Sequence, residues 1–447
     1  MIKVHLGLDD TDSMRTGCTT YIGALLVEDL LKMGCKFIDY PNLIRLNPNT
    51  PWKTRGNGAI CLRIRCEENK IPDIIDISTK RIEQFSDFES ENTNPGLAVL
   101  RGNVPKELEK FAQKALWSIV KYSTALKLAK RFNIEVLGFK NGRGIIGALA
   151  AIGNQLKEDY TYELLAYRIK ENLGKPRKID KKSVIEMDKA TKPFTFNNID
   201  PETGRILITP RGADPVLYGI RGESPEVVKK AHEMIKVFEE VDRWVIYRSN
   251  QGTDAHLRFR FKISELKPFM QVIVRGVVSK SPEIIVGRHV IFSIRDETGE
   301  VNCAAYEPTG ELRNAAKLLE VGDEIEVYGA VRPPSNEHPM IINMEKMQII
   351  KLAKKITYMN PVCMKCGKRM KSMGSNKGFK CPKCGFKNPK ATKLAFEIQR
   401  KLKPGLYITS PRSQRHLTKP KCRYGLEKSS PPTSMIDYWC SFLHIRR

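Results

Sequence analysis

The sequence predicts a multidomain α+β protein, and three observations predict it. Residues 1–165 alternate strand-like and helix-like segments. Residues 263–355 carry five strand-like runs with one helix-like run after the third. Cys363, Cys366, Cys381 and Cys384 form two CxxC pairs separated by 14 residues. At 447 residues the chain has room for about three or four domains. Its hydrophobic fraction, 41%, is enough for packed cores. A formal charge of +26 favours a polyanionic partner, nucleic acid before membrane surface. A generally lysine-rich proteome would give the same excess.

In the first region, residues 2–8 and 59–66 read as strands, and 21–33 and 107–131 as helices. Residues 134–139 read as a strand, and 142–153 as a glycine-punctuated loop entering an apolar helix. The first strand runs into Asp9, Asp10 and Asp12, with hydroxyls at Thr11, Ser13, Thr16, Thr19 and Thr20. Carboxylates this close repel and raise one another's pKa. A divalent cation removes that cost, and Mg²⁺ takes hard oxygen ligands together with substrate phosphates. The loop therefore reads as a Mg-nucleotide site, or as a solvated turn that caps the next helix. In the loop 51–58, Lys53 and Arg55 would neutralise phosphates, while Gly56 and Gly58 would let backbone N–H groups approach them. An ordinary basic turn would look the same. Gly142, Gly144 and Gly147 match GxGxxG, but no acid follows about 20 residues on in a second-strand context. The match reads as a glycine turn feeding a helix N-terminus that faces phosphates. No Walker A sequence occurs.

The second region, 166–262, opens on a linker-like stretch, 174–182. Strands are expected at 205–209 and 244–247, with a helix over 225–243 capped by Ser224 and with Pro225 at its first position. The segments 214–223 and 249–256 read as polar loops, and His256 on its own reads as structural. In the third region strands are expected at 271–278, 288–295, 300–306, 324–331 and 340–350, with a helix at 311–320. That order is the OB-fold's, whose face and loops bind oligonucleotides, although another five-stranded barrel would share it. In the fourth, 356–390, four thiolates at this spacing make a closed tetrahedral Zn²⁺ site, a structural one; two redox dithiols are the alternative. Residues 363–401 hold 12 Lys and Arg against one acid, Glu397, a surface suited to phosphates.

The basic tail, 391–447, is expected to be poorly ordered or ordered on RNA. Its apolar stretch 435–445 has no account from sequence, and Cys422 and Cys440 have no evident partners. Scattered cysteines without a preceding signal segment fit a reducing cytoplasm. No apolar run approaches the roughly 18 to 20 residues of a membrane span.

Several segments in order resemble the archaeal tRNA(Ile) 2-agmatinylcytidine synthetase family, TiaS. They are residues 7–13 (GLDDTDS), 18–21 (CTTY), 45–59 (RLNPNTPWKTRGNGA), 141–153 (NGRGIIGALAAIG), 214–223 (DPVLYGIRGE) and 249–257 (SNQGTDAHL), with the cysteine ribbon and 402–407 (LKPGLY). The resemblance runs to about residue 426 and does not include the last twenty. It implies an atypical kinase-like α/β N-terminal domain (1–165), a ferredoxin-like domain (166–262), an OB-fold β-barrel (263–355) and a four-cysteine zinc ribbon (356–390). It also implies ATP-dependent ligation of agmatine to C2 of the wobble cytidine of CAU-anticodon isoleucine tRNA, so that the tRNA reads AUA. ATP is split to AMP, and a phosphoryl group activates the C2 oxygen before the amine attacks. On this resemblance Asp9, Asp10 and Asp12 hold Mg²⁺, and Thr19 transiently receives phosphate. Lys53, Arg55, Gly56, Gly58 and Arg143 bind ATP. Asp214, Tyr218, Gly219 and Arg221 form the agmatine pocket, where a carboxylate suits a guanidinium. Asn250, Asp254 and His256 hold the flipped base. The expected cofactors are ATP, Mg²⁺ and structural Zn²⁺, and the partners are tRNA and agmatine, with no membrane.

Two other readings compete. A non-catalytic nucleic-acid-binding protein has no need for the acidic cluster. An oxidoreductase would use the Gly142 loop for a nicotinamide.

Overall fold

The computed structural model describes residues 1–336, 338–432 and 434–442. Ile2–Asp9 (β1) forms a strand because both of its faces are covered. Val4, Leu6 and Leu8 share a core with Ile22, Leu26 and Leu30 of the helix Thr19–Lys32 (α1). Gly7 faces the other way, where a Cβ would stand 2.3 Å from the carbonyl oxygen of Ala148. The chain continues through Lys36–Phe37 (β2), Asn42–Arg45 (β3), Gly58–Cys66 (β4), Ile71–Phe85 (α2) and Gly96–Arg101 (β5). β4 and β5 flank β1, both antiparallel to it. The helices Lys106–Trp117 (α3) and Tyr122–Arg131 (α4), the strand Glu135–Gly138 (β6) and the helix Ile145–Gly153 (α5) complete this half. The single helix expected over 107–131 is therefore two. The chain is extended at Ser118 and Lys121, while Trp117 packs on Phe259 and Phe261. No Gly or Pro marks that break.

The second half adds Thr161–Arg168 (β7), Lys181–Thr191 (α6), Thr195–Phe196 (β8), Val216–Gly222 (β9), Pro225–Met234 (α7) and Val241–Ser249 (β10). Both halves form one sheet in the order β6-β5-β1-β4-β3-β10-β7-β9-β8. The seam is the short parallel pairing of β10 with β3, Arg248↔Asn42 and Ser249↔Leu43. The boundary expected at 165/166 falls inside β7, all eight residues of which are buried. The strand expected at 205–209 is reduced to one bridge, Ile199↔Ile206, and β9 takes the place beside β7. Ser224 Oγ caps α7 by accepting from Val227 N at 3.3 Å, as the sequence indicates. The helix stops at Met234 rather than 243 because Val237 bridges Ile179, and Phe238 is left 69% exposed. Tertiary strand pairing here overrides helical spacing.

Gln271–Ile284 (β11), Val290–Arg295 (β12), Glu300–Ala305 (β13), Glu311–Ala316 (α8), Glu324–Arg332 (β14) and Ile341–Lys351 (β15) follow the expected order. Parallel pairing of β13 with β15 closes a five-stranded barrel. Ile356–Met359 (β16) leads out to the ribbon, which holds Lys371–Ser372 (β17), Phe379–Lys380 (β18) and Lys387–Asn388 (β19). Leu394–Glu397 (β20) pairs with β16 on the return.

The tail departs from expectation. Gly405–Ile408 (β21) extends the barrel sheet beside β15. The following segment crosses to the body built on the large sheet, where His416 O accepts from Gly252 N at 2.8 Å. Arg423 is fully buried there; its Nη2 meets Asp159 Oδ1 at 2.9 Å and its Nε meets Glu223 Oε1 at 2.5 Å. Cys440–Phe442 (β22) pairs with β10, and Trp439 packs against Phe37 and Tyr40. This seats the apolar stretch that sequence left unexplained, as far as residue 442; residues 443–445 lie outside those described. Long-range ion pairs and one aromatic anchor hold the segment, and none of them has a local signature.

Candidate active site

The end of β1, the loop 51–57 and the start of α5 enclose a cavity of about 100 Å³. Asp9, Asp10, Asp12, Lys53, Arg55, Gly58 and Arg143 line it. β1 delivers Asp9 to the N-terminal end of α5. Gly144 and Gly147 are what permit that approach. A Cβ on Gly147 would stand 1.7 Å from Asp9 Oδ2, and one on Gly144 would stand 2.7 Å from the Asp9 carbonyl oxygen. The GxGxxG match is therefore accounted for by packing on the acidic strand end. The chain then turns sharply at Asp10, which has a positive φ of 61°. Arg143 Nη2 reaches Asp10 Oδ2 at 3.1 Å and Arg55 Nε reaches Asp12 Oδ2 at 2.9 Å. Burial, then the Asp10 charge, holds the Asp9 carboxyl well above the usual range. Burial pushes Asp10 up to about 6, against the pull of Arg143. Burial and then Arg415 lower the Lys53 ammonium.

A larger cavity of about 340 Å³ adjoins it, lined by Asp12, Thr19, Arg55, Gly56, Gly58, Asp214, Gly219 and Arg221, among others. Arg55 belongs to both walls. Its Nη1 meets Asp214 Oδ2 at 2.9 Å, and its Nη2 donates to Gly17 O at 2.6 Å. Arg177 also faces Asp214, at 3.4 Å. Burial raises the Asp214 carboxyl, and Arg55 and Arg177 oppose that. The hydroxyls of Thr19 and Thr11 are 2.9 Å apart.

Several of the expected site residues have other neighbours in this structure. Asp9, Asp10 and Asp12 line one cavity but do not converge as a three-carboxylate group: Asp9 lies against α5, and Asp10 and Asp12 pair with different arginines. At Gly56 and Gly58 the Arg45 guanidinium takes the space that a side chain would need. A Cβ on either would stand 2.8 or 2.7 Å, respectively, from Arg45 Nη1. Tyr218 points into the core, where its hydroxyl lies 2.7 Å from His232 Nδ1, because alternation along β9 sends Gly219 and Arg221 to the cavity instead. Asn250, Asp254 and His256 are engaged with protein groups in this structure. Asn250 clamps both backbone polar groups of Arg45, at 2.8 and 2.9 Å. Asp254 receives the buried Lys346 ammonium and Lys419 N. His256 is fully buried, 3.0 Å from Glu345.

Arg45, Glu163 and His416 line the larger cavity, and sequence reading gave them no role. Arg221 Nε donates to Glu163 Oε1 at 3.0 Å, and its Nη2 lies 2.8 Å from His416 Nδ1. Burial, then Arg45, Arg221 and Lys53, hold His416 well below the usual imidazole value. Placing 161–168 as a strand would have put Glu163 on the same face as Leu165, and both line this cavity; nothing local marks His416.

At the ribbon, Cys363 and Cys384 Sγ are 3.4 Å apart, as are Cys366 and Cys381 Sγ, and all four lie within 4.8 Å of one another. Zinc–sulfur bonds of about 2.3 Å in a tetrahedron put sulfurs a little under 4 Å apart, so the set fits Zn²⁺. It is the one convergent group of three or more His, Cys, Asp or Glu ligand atoms among the described residues. Gly367 and Gly385, at φ 68° and 72°, supply the left-handed turn after each knuckle. No helix among the described residues is long and apolar enough to cross a membrane.

Four family models match the chain: the TiaS TCKD domain at 5–141, the TiaS FLD domain at 142–256, an OB-fold nucleic acid binding domain at 272–350 and the TiaS C-terminal zinc ribbon domain at 360–402. The tRNA(Ile2) 2-agmatinylcytidine synthetase TiaS of Thermococcus sibiricus is 46% identical over 421 residues, covering 94% of this chain and 96% of its own. The crystal structure of a TiaS–tRNA(Ile2)–ATP complex matches with a TM-score of 0.84 at 40% identity, covering 95% of this chain and 98% of that one. That of a TiaS–tRNA(Ile2)–AMPCPP–agmatine complex matches at 0.82 and 37%, with the same coverage. Shared along nearly its whole length and through all four domains, this likeness shows that the chain belongs to the TiaS family.

Proposed function

We propose that the chain is an ATP-dependent ligase that joins agmatine to C2 of the wobble cytidine of CAU-anticodon isoleucine tRNA. The product, 2-agmatinylcytidine, lets the tRNA read AUA. The observation that carries this reading is the pair of adjoining cavities, one suited to phosphates and the other presenting a buried carboxylate, with Arg55 in both walls. That the named relatives are 2-agmatinylcytidine synthetases, one of them solved with an ATP analogue and agmatine, supports it.

The C2 carbonyl of cytosine is a poor electrophile, and its oxygen leaves poorly until phosphorylated. The C2 oxygen takes the γ-phosphoryl group, directly or by way of Thr19, as the P–O bond to its carrier breaks; cleavage by water of a second P–O bond, in the ADP left behind, gives AMP. The primary amine then attacks C2 and loses a proton, and phosphate leaves with the former C2 oxygen. Such transfer depends on positioning and charge neutralisation. Lys53, Arg55 and Arg143 neutralise the phosphate chain from the smaller cavity. Asp10 and Asp12 would hold Mg²⁺ jointly with the phosphates, with Asp9 behind them; that ion neutralises charge developing on the phosphoryl oxygens. One or two carboxylates plus phosphates is the donor set Mg²⁺ usually takes, so their failure to converge fits. Thr19, which lines the larger cavity, would be the hydroxyl that carries phosphate transiently. Asp214 receives the guanidinium, with Gly219 and Arg221 beyond it. Zn²⁺ on the four thiolates fixes the ribbon's shape. The barrel, the ribbon and the ribbon's lysines bind the RNA. Eleven cysteines without a disulfide support a reducing compartment, the cytoplasm.

Mass spectrometry of nucleosides from CAU-anticodon isoleucine tRNA, incubated with the chain, Mg-ATP and agmatine, tests this. An agmatine-sized adduct on cytidine, absent with Asp10→Ala, is expected. Bound tRNA without adduct would leave a binding protein instead.

A further inference from the structure

Arg55 lines both cavities and pairs with two carboxylates, Asp12, which also lines both, and Asp214, which lines the larger. Its Nε holds Asp12 Oδ2 and its Nη1 holds Asp214 Oδ2, both at 2.9 Å. The two Asp214 oxygens have separate partners. Arg177 Nη2, at 3.4 Å, and Val216 N, at 3.1 Å, serve Oδ1, while Arg55 serves Oδ2. When Arg55 turns away, Oδ2 therefore loses its cation while Oδ1 keeps its own. Gly212 lies beside this pair: a Cβ there would stand 3.3 Å from Asp214 Oδ2 and 3.8 Å from Arg55 Nη1. On the other side Arg55 faces the cavity that also holds Lys53 and Arg143. A guanidinium binds phosphate oxygens as readily as carboxylate oxygens, and in the same forked geometry.

We propose that Arg55 couples the two cavities by competition: a guanidinium-bearing amine displaces it from Asp214, and a polyphosphate in the smaller cavity draws it off the same carboxylate. The inference rests on the substrates proposed above and adds a thermodynamic relation between them. One guanidinium replaces another at Asp214 without leaving a buried carboxylate unpaired, whose cost would otherwise oppose the exchange. Each ligand removes part of the work the other must do, so the two bind with positive and reciprocal coupling.

Isothermal titration of the full chain with agmatine, alone and saturated with Mg-AMPCPP, reads this directly. Agmatine affinity is expected to rise about fivefold or more with the nucleotide analogue. Affinity for Mg-AMPCPP should rise by the same factor with agmatine, since linkage requires it. With Arg55→Ala, agmatine affinity should no longer depend on nucleotide. Arg55→Lys, too short to hold Asp12 and Asp214 together, should also lose most of the dependence. If both ligands bind the unaltered chain but neither changes the other's affinity, the coupling is wrong and the substrate reading stands. If agmatine binds under neither condition, the substrate reading falls and takes the coupling with it. Coupling that persists in full in folded Arg55→Ala would overturn the role of Arg55. The unaltered chain decides the main point even if a variant fails to fold.

Discussion

Gly147→Ala separates the chemistry of the acidic strand end from its stability. The added methyl would stand 1.7 Å from Asp9 Oδ2, 2.5 Å from Cγ and 2.9 Å from Cβ, so the whole carboxyl group must move. Ala gains at most about 1 kcal/mol over Gly at this third position of α5, whereas overpacking a filled site costs about 1–3 kcal/mol. The net is a destabilisation of about 0–3 kcal/mol, a shift of a few degrees at most in Tm. Activity should respond far more. Moving Asp9 also shifts Asp10, whose contact with Arg143 spans the phosphate cavity, and a misplacement of about 1 Å can cost around a hundredfold in rate. The assay pairs calorimetric melting with initial rates of 2-agmatinylcytidine formation. The double variant Asp9→Ala/Gly147→Ala removes the clashing oxygens, so it should regain stability over Gly147→Ala without regaining activity. A Gly147→Ala enzyme within about threefold of the normal rate would refute the reasoning, because the carboxyl would then have moved without consequence.

Arg423→Met should cost about 1–3 kcal/mol in denaturant titration, since Asp159 and Glu223 lose their shared cation and keep only Lys419, at 3.6 Å, and Lys428, at 2.6 Å. Stability should also fall in acid through Glu345. Burial alone would raise this carboxyl, but the His256 ring, Arg415 and Thr418 hold it down to about 2 from an ordinary 4.5. Because the folded value is the lower one, the contribution is full above about pH 4.5 and is lost as pH falls towards 2. It is worth on the order of 3 kcal/mol, and Glu345→Gln should flatten the curve over that window. Stripping Zn²⁺ with a chelator, or Cys381→Ser, should unfold the ribbon and weaken tRNA binding while leaving Mg-AMPCPP affinity unchanged.

The parts legible in the sequence were those whose signals are local. Two CxxC pairs have one good use at that spacing, and the barrel's strands alternate as half-buried strands do. The acidic end of β1 was legible because like charges crowded together need a reason. What escaped was set by distant partners. β7 is buried on both faces, so its eight residues show no alternation. β9 carries Gly219 because a Cβ there would stand 2.8 Å from Leu165 Cδ2, and that glycine made the strand resemble a loop. The Asn250 and Asp254 side chains suit RNA contacts by type, yet both bond protein backbone. Residue type alone cannot distinguish those uses. The tail's charges suggested a solvated segment, but Arg423 finds two acids far back along the chain, with sequence separations of 264 from Asp159 and 200 from Glu223.

That last arrangement bears on how the chain acquires its activity as it leaves the ribosome. Chains emerge N-terminus first, at about 5–20 residues per second. The acidic strand end and the phosphate cavity are assembled from residues up to Gly147 and can form while more than half the polypeptide is still unmade. The wall carrying His416 arrives much later, 195 residues after the Arg221 it meets. A nascent chain would thus have its smaller cavity early and the wall of the larger one late, so the pocket that presents Asp214 is completed only when the chain is nearly finished.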